Sequence, residues 1–420
     1  MLTFLTLLLG IIHGPHLVAL NAPARAASVE LVLDGELVAI RRTPPWEFVV
    51  DFGDFPAPHY LDAVARDDRD REIGRARQRI NIPQPAAEAV LALLPGRGGA
   101  GRIARLTWES SVGARPEEVT VTFDGATLAA PDPERIELPT FVPERLHFLH
   151  AVLRFRLDTS ATAEITFGGR HHDETEKELT AFPVRAQGGK LPSPEAMDGW
   201  FFADGESMHV VAVETGAATV VFVSDADGPP AFRRMKGLLP GGTGFLKGTP
   251  RVQTISAYGH FIPGKEMYFK VFDTVDRDPG AGLLAVLQDA GEMTVGNCPT
   301  LADAVAVAGV FASRDSRPRA VVLILTGNPD ASLLSARAAR SYLADLGVPL
   351  VVWHTGPAAP DAAVEWGGGV EVKTRAALRA AVKSLDAALA EQRIVWVEGA
   401  HLPQSMTVSP MAAAGVTIAR

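Results

Sequence analysis

Ala218-Thr219-Val220-Val221-Phe222-Val223-Ser224-Asp225-Ala226-Asp227-Gly228 decides how the rest of the chain is read. Residues 218–223 are almost wholly apolar, which reads as a strand buried on both faces, and an oxygen-rich turn follows at once. Two later runs, 320–325 and 350–353, have the same character. Shorter strands are expected at 210–213, 251–258 and 267–272. Between and around these lie helix patterns at 283–287, 301–312, 332–346 and 375–391. Gly347 stands where a helix C-cap glycine belongs, and Pro349 prevents continuation. Strands alternating with helices of this length predict a doubly wound α/β domain over residues 205–397, with a mostly parallel sheet.

Ligands of an open parallel sheet bind beyond the C-terminal strand ends. Three loops are expected there: 224–228, 326–330 and 296–300, the last leading into a helix. Asp225, Asp227 and Thr300 would supply oxygen donors of the kind a hard divalent cation takes. At these residues the domain resembles a von Willebrand factor A domain. In that family a strand ends in Asp-x-Ser-x-Ser, a later loop gives Thr, and another strand ends in Thr-Asp-Gly. Together they form a metal-ion-dependent adhesion site, usually holding magnesium. The resemblance places the first three ligands on Asp225, Asp227 and Pro229, the loop threonine on Thr300 and the last aspartate on Gly327. Proline and glycine offer no side-chain oxygen. Asp330 would have to reach back to about 2.1 Å from the ion. The expectation is therefore a degenerate site with no tight metal; the alternative is magnesium or calcium on Asp225, Asp227 and Thr300.

Working toward the N-terminus, a Gly/Pro/Ser-bearing linker is expected at 187–204. Before it the pattern is short alternating runs and turns, read as two antiparallel β-modules at 28–83 and 101–186, joined by a linker at 84–100. The run 29–35 ends in Asp34-Gly35, a hairpin signal, and 118–125 repeats it with Asp124-Gly125. The strands beginning at His59 and His147 echo one another as well, so both modules share one architecture. Pro44-Pro45-Trp46, Val50-Asp51-Phe52-Gly53, Pro58-His59-Tyr60-Leu61-Asp62 and Phe167-Gly168-Gly169-Arg170-His171-His172 resemble exported bacterial proteins of the acidobacterial von Willebrand factor A-related type. That resemblance implies Ig-like β-sandwich modules in front of an A-type domain.

Residues 1–26 read as a secretory signal peptide: 2–12 is apolar, and Ala24-Arg25-Ala26 fits the small-residue cleavage rule. The n-region carries no Lys or Arg, and a buried N-terminal strand is the alternative. No later window reaches the roughly 18–20 apolar residues of a membrane span. A C-terminal tail is expected at 398–420.

The balance of 47% hydrophobic and 21% charged residues over 420 positions suits a folded chain of several domains. The net charge of -9 comes without a Lys/Arg stripe, so nucleic acid is not an expected partner. Cys298 is the single cysteine, which excludes an intramolecular disulfide and any multi-cysteine zinc site.

The remaining chemical candidates are weaker. His171 and His172 with Asp173, Glu174 and Glu176 are rich in metal ligands, but adjacent strand residues point to opposite faces, so a charged hairpin turn is preferred. Cys298 precedes a helix, but its own loop holds no His to serve as base. The glycine-rich 241–249 has Lys247-Gly248-Thr249 in the wrong order for a phosphate loop. The expected function is thus an exported, non-enzymatic binding, adhesion or scaffold protein with a protein or glycan ligand. The alternatives are a metal-dependent adhesion module and a hydrolase built around Cys298 or the His171-His172 loop.

Overall fold

The computed structural model describes residues 2–8, 10–83, 87–94, 103–110, 115–124, 126–128, 132–142, 146–155, 160–168, 179–216, 218–224, 231–232, 251–257, 269, 271–273, 299–314, 316–355, 359–412 and 415–420. The chain divides into two units. One holds Met1–Pro83, Ala181–Val397 and His401–Arg420, and the other Gln84–Thr180 with Glu398–Ala400.

The first β-module comprises β1 (Thr3–Phe4), β2 (Pro15–Asn21), β3 (Ser28–Leu33), β4 (Glu36–Arg41), β5 (Glu47–Asp51), β6 (His59–Arg66) and β7 (Glu72–Ile80). They form two antiparallel sheets, β1-β2-β5 and β4-β3-β6-β7. Alternation explains the pairing of faces: in β5, Phe48 and Val50 are buried while Glu47, Val49 and Asp51 are exposed. Val18, Leu20, Val29, Leu31, Phe48 and Leu61 meet in one core, each fully buried side chain contributing about 1.5–3 kcal/mol. Asp34 and Gly35 join β3 to β4 with φ of 52° and 88°, the left-handed pair that a two-residue hairpin demands.

The stretch expected as a leader carries β1 and β2 of this module. Leu2, Ile12, Val18 and Leu20 are buried in this core, and Asn81 brackets Ile12 through both its backbone groups. These residues take the positions that a buried N-terminal strand would, in the sheet β1-β2-β5.

The second module repeats the first strand for strand. β8 (Ala87–Leu94), β9 (Ile103–Ser110) and β12 (Ile136–Glu137) form one sheet. β10 (Glu118–Phe123), β11 (Ala126–Leu128), β13 (Leu146–Arg154) and β14 (Ser160–Gly168) form the other, in the order β11-β10-β13-β14. The expected linker at 84–100 therefore contains a strand, β8, whose Leu91 is buried in this module's core. β8 and β9 stand where β1 and β2 stand in the first module.

A third pair of sheets was not anticipated. β15 (Leu179–Ala186), β16 (Phe201–Ala203), β17 (Glu206–Ser207) and β18 (Val210–Glu214) lie before the α/β domain in sequence. β25 (Gln392–Glu398), β26 (Met406–Val408) and β27 (Val416–Ile418) lie after it. They assemble as β18-β25-β15-β27 and β17-β16-β26 around Phe182, Phe201, Val395, Val397 and Met406. The expected linker 187–204 and tail 398–420 are thus sheet-forming, and Asp204-Gly205 repeats the left-handed turn with φ of 51° and 85°. The α/β domain is an insertion between β18 and β25.

That domain holds β19 (Thr219–Ser224), β20 (Arg251–Ser256), β21 (Val271–Asp273), β22 (Arg319–Leu325), β23 (Leu350–His354) and β24 (Val370–Glu371), in the order β21-β20-β19-β22-β23-β24. All neighbours run parallel except β21, which is an antiparallel edge. β19 and β22 are buried at every position. The helices are α1 (Leu301–Ser313), α2 (Ala336–Asp345), α3 (Ala359–Glu365) and α4 (Arg375–Ala390). Val221 and Val223 pack with α1 and α2 on one face, and Val220 and Phe222 pack with α4 on the other. Helix starts follow the expected capping: Ser335 Oγ accepts from Ala338 N at 3.1 Å and Thr374 Oγ1 from Ala377 N at 3.2 Å. The helix pattern at 283–287 lies outside the described residues.

Candidate functional site

The chain leaves β19 toward β20 on one side, while β22 takes the other side, so the strand order reverses between β19 and β22. Such a reversal opens a crevice at the strand ends. The described part of this rim consists of Ser224, Ser256, Thr300, the 326–332 loop and His354. Asp225, Asp227 and Pro229 lie outside the described residues, as do Cys298, His171, His172, Asp173, Glu174, Glu176 and the glycine-rich 241–249.

Thr300 sits where the sequence placed it, immediately before α1. Its Oγ1 donates to the Ala257 carbonyl at 3.0 Å, and its own N–H donates to the same oxygen. The hydroxyl thereby ties the start of α1 to the end of β20. Its remaining lone pairs can act only as acceptors.

Asp330 does not reach toward the strand ends. Its Oδ1 accepts from Leu301 N at 2.9 Å and from Ser332 N and Oγ at 3.0 and 2.6 Å, and its Oδ2 accepts from Ala302 N at 3.2 Å. Ser332 Oγ also accepts from Ala302 N at 2.8 Å. These are the orphan donors of a helix N-terminus, and a carboxylate there is favoured by the helix dipole too. Asp303, in the first turn of α1, returns the arrangement by accepting from Leu333 N and Leu334 N, each at 3.0 Å. Helix and loop thus cap each other. Burial pushes the Asp303 carboxyl above its ordinary value, against the lowering effect of those two N–H groups; nearby Asp330 raises it further and His13 lowers it.

Gly327 carries φ of +92°, a backbone that L side chains rarely adopt. The position that the family resemblance assigns to an aspartate is therefore built for glycine in its backbone as well as lacking a carboxylate. Asn328 Nδ2 donates to Thr326 Oγ1 at 3.2 Å, closing the turn on itself. Among the described residues no group of three or more His, Cys, Asp or Glu side chains is placed to hold a metal ion.

Two rim features carried no sequence signal. Ser224 Oγ and His354 Nδ1 are buried without a hydrogen-bond partner. They belong to opposite faces of the sheet, since Ser224 continues the alternation of Val220 and Phe222, and His354 that of Val352.

No protein-family model and no curated protein matches the chain. Among solved structures, it is similar to the fibronectin(III)-like modules of Clostridium thermocellum CbhA, at 16% identity and a TM-score of 0.17 over 42% of this chain and 100% of that one. The central fibronectin-III array of RIM-binding protein aligns at 13% identity and a TM-score of 0.22, covering 49% of this chain and 78% of that one. A structure of a 1.5-MDa bacterial ice-binding adhesin aligns at 10% identity and a TM-score of 0.16, covering 47% and 75%. At these scores the likenesses carry no argument. The chain's own geometry consists of several small antiparallel sandwich-like sheets and one parallel sheet flanked by helices. No helix among the described residues is long and apolar enough to cross a membrane.

Proposed function

We propose that the chain is a non-enzymatic binding or scaffold protein whose α/β domain is a degenerate von Willebrand factor A-like module, engaging a protein or glycan at its strand-end rim. One observation carries this reading. Asp330, the carboxylate that would have to reach back to an ion, caps α1 together with Ser332 instead, and Asp303 caps the opposing loop. A rim fixed by its own hydrogen bonds presents a preorganised surface without a cation. The β-modules serve as the support that displays it. An exported location rests on the leader-like segment, and its seating in the first core favours a segment retained with the folded chain.

The test uses the full chain. Titration with magnesium or calcium, followed by calorimetry and thermal melting, is expected to give neither heat nor a shift at millimolar cation. Immobilised protein screened against protein and glycan arrays is expected to capture a ligand that an Asn328→Ala, Thr326→Ala variant releases. A saturable metal response, or a ligand held equally by that variant, rejects the reading.

A further inference from the structure

A groove of about 650 Å³ lies on the face of the six-stranded sheet covered by α2 and α3. Val348 and Leu350 line it, which sets it beside the start of β23 and not at the strand-end rim. One wall is α2, where Arg337, Arg340 and Ser341 share a helical face at spacings of three and four. The opposite wall is the turn of Glu365 to Gly368, and the floor is Leu350, Val352 and the buried Trp366.

The cations in this groove are placed with care. Arg340 Nη1 donates to the Glu365 carbonyl at 3.3 Å. Gly367, at φ +86°, makes the room for it, because a Cβ there would lie 2.6 Å from Arg340 Nη2. Arg337, one turn earlier, is exposed and makes no hydrogen bond or ion pair among the described residues. Arg420 lines the groove as well, held by the carbonyls of Gln404 and Met406 at 3.3 and 3.2 Å, with Asp345 offsetting part of its charge. Among the described residues Glu365 is the single acidic one lining the groove, in a chain whose 49 acids outnumber its 40 bases. The local charge is opposite to the global one.

We propose that this groove binds an acidic peptide segment of a partner protein. Carboxylates sit on Arg337 and Arg340, and an apolar side chain lies on the floor of Leu350, Val352 and Trp366. Guanidinium forks match carboxylates bidentately. An apolar floor beside cations on one wall suits a strand that alternates acidic and apolar residues. The site is separate from the rim, so the two readings stand or fall independently.

Fluorescence anisotropy tests this with the full chain and a fluorescein-labelled peptide alternating aspartate and leucine, at about 0.15 M ionic strength. Saturable binding is expected, weakened about tenfold or more in Arg337→Glu and lost when the aspartates are replaced by asparagine. Arg337 is exposed and has no hydrogen bond or ion pair among the described residues, so this variant should melt as the parent does. The Asn328→Ala, Thr326→Ala rim variant is expected to bind the peptide unchanged, and loss there would move the peptide to the rim. The proposal is overturned by no saturable binding, by equal affinity in Arg337→Glu or for the amide peptide, or by displacement with inorganic phosphate at about 1 mM, which would mark a general anion site.

Discussion

Tyr342 Oη donates to the Asn81 carbonyl at 2.7 Å, joining residues 261 apart in sequence. Asn81, at φ 55°, also uses its side chain: Nδ2 donates to the Ile12 and Ala57 carbonyls at 2.6 and 2.8 Å, and Oδ1 accepts from Ile12 N at 2.7 Å. One asparagine therefore ties the N-terminal turn and the end of the first module to helix α2. Burial raises the Tyr342 hydroxyl far above its ordinary pKa, so it remains a donor at any working pH.

Tyr342→Phe is expected to destabilise by about 1–3 kcal/mol, because it leaves the Asn81 carbonyl buried and unpaired. Asn81→Ala should cost more, since it strips hydrogen bonds from Ile12 and Ala57 and places an alanine in a left-handed backbone. Urea midpoints at constant slope measure both. Equal stability of Asn81→Ala and the parent would falsify the joint described here.

A chain beginning at Ala27, as cleavage after Ala26 would leave it, lacks Leu2, Ile12, Val18 and Leu20 from the first core. With about 1.5–3 kcal/mol attached to each such side chain, the first module should lose its cooperative unfolding transition. Calorimetry of the shortened chain, beside N-terminal sequencing of the protein from its source, checks whether these residues are kept.

Asp330→Ala is expected to cost about 1–2 kcal/mol, as removal of a helix N-cap does. Because Asp303 and Asp330 cap each other's segments, the double replacement should be less than additive. A double-mutant cycle on denaturation midpoints reads that coupling; strict additivity would mean the two caps act separately.

Gly327→Asp restores the carboxylate of the resembled family at a position with φ +92°. The left-handed backbone should cost about 1–2 kcal/mol, with no new response to magnesium. A thermal shift with added magnesium in this variant would show that the site lacks only that one ligand.

Asp67 accepts from Arg69 N and Arg71 N at 3.0 Å each and takes a forked pair from the Arg71 guanidinium at 2.9 and 2.7 Å. The Arg71 side chain foremost, then the backbone N–H groups, hold its carboxyl down to about 2. The folded value lies below the unfolded one, so the stabilisation is present above pH about 4 and fades as pH falls through about 2. Asp67→Asn should therefore melt lower than the parent near neutrality, and the two curves should converge toward pH 2.

The doubly wound domain was legible because period and composition speak locally. Residues 220–223 and 320–325 are apolar on both faces, and Ser335, Thr374 and Gly347 mark helix ends by their own chemistry. The repeat of the first two modules was legible in Asp34-Gly35 and Asp124-Gly125. Their shared latch was not: His59 Nδ1 lies 2.6 Å from Asp34 Oδ2 and His147 Nδ1 lies 2.7 Å from Asp124 Oδ2, across partners more than twenty residues apart. At the rim, the sequence named Thr300 and weighed Asp330 as a metal ligand, whereas helix α1 captures Asp330 for its own unpaired N–H groups.

Alternation, turn chemistry and capping are properties of a few adjacent residues, and from these the sequence alone determined strands, helices and the resemblance of two modules. Only tertiary structure decided that Thr3–Phe4 and Pro15–Asn21 are strands of the first module, that strands within 179–214 and 392–418 form a third pair of sheets around an inserted domain, and that Asp330 serves a helix end. Each of those outcomes depends on which distant segment offers the best burial or the nearest unpaired donor. That competition is settled in space and leaves no mark on the local pattern.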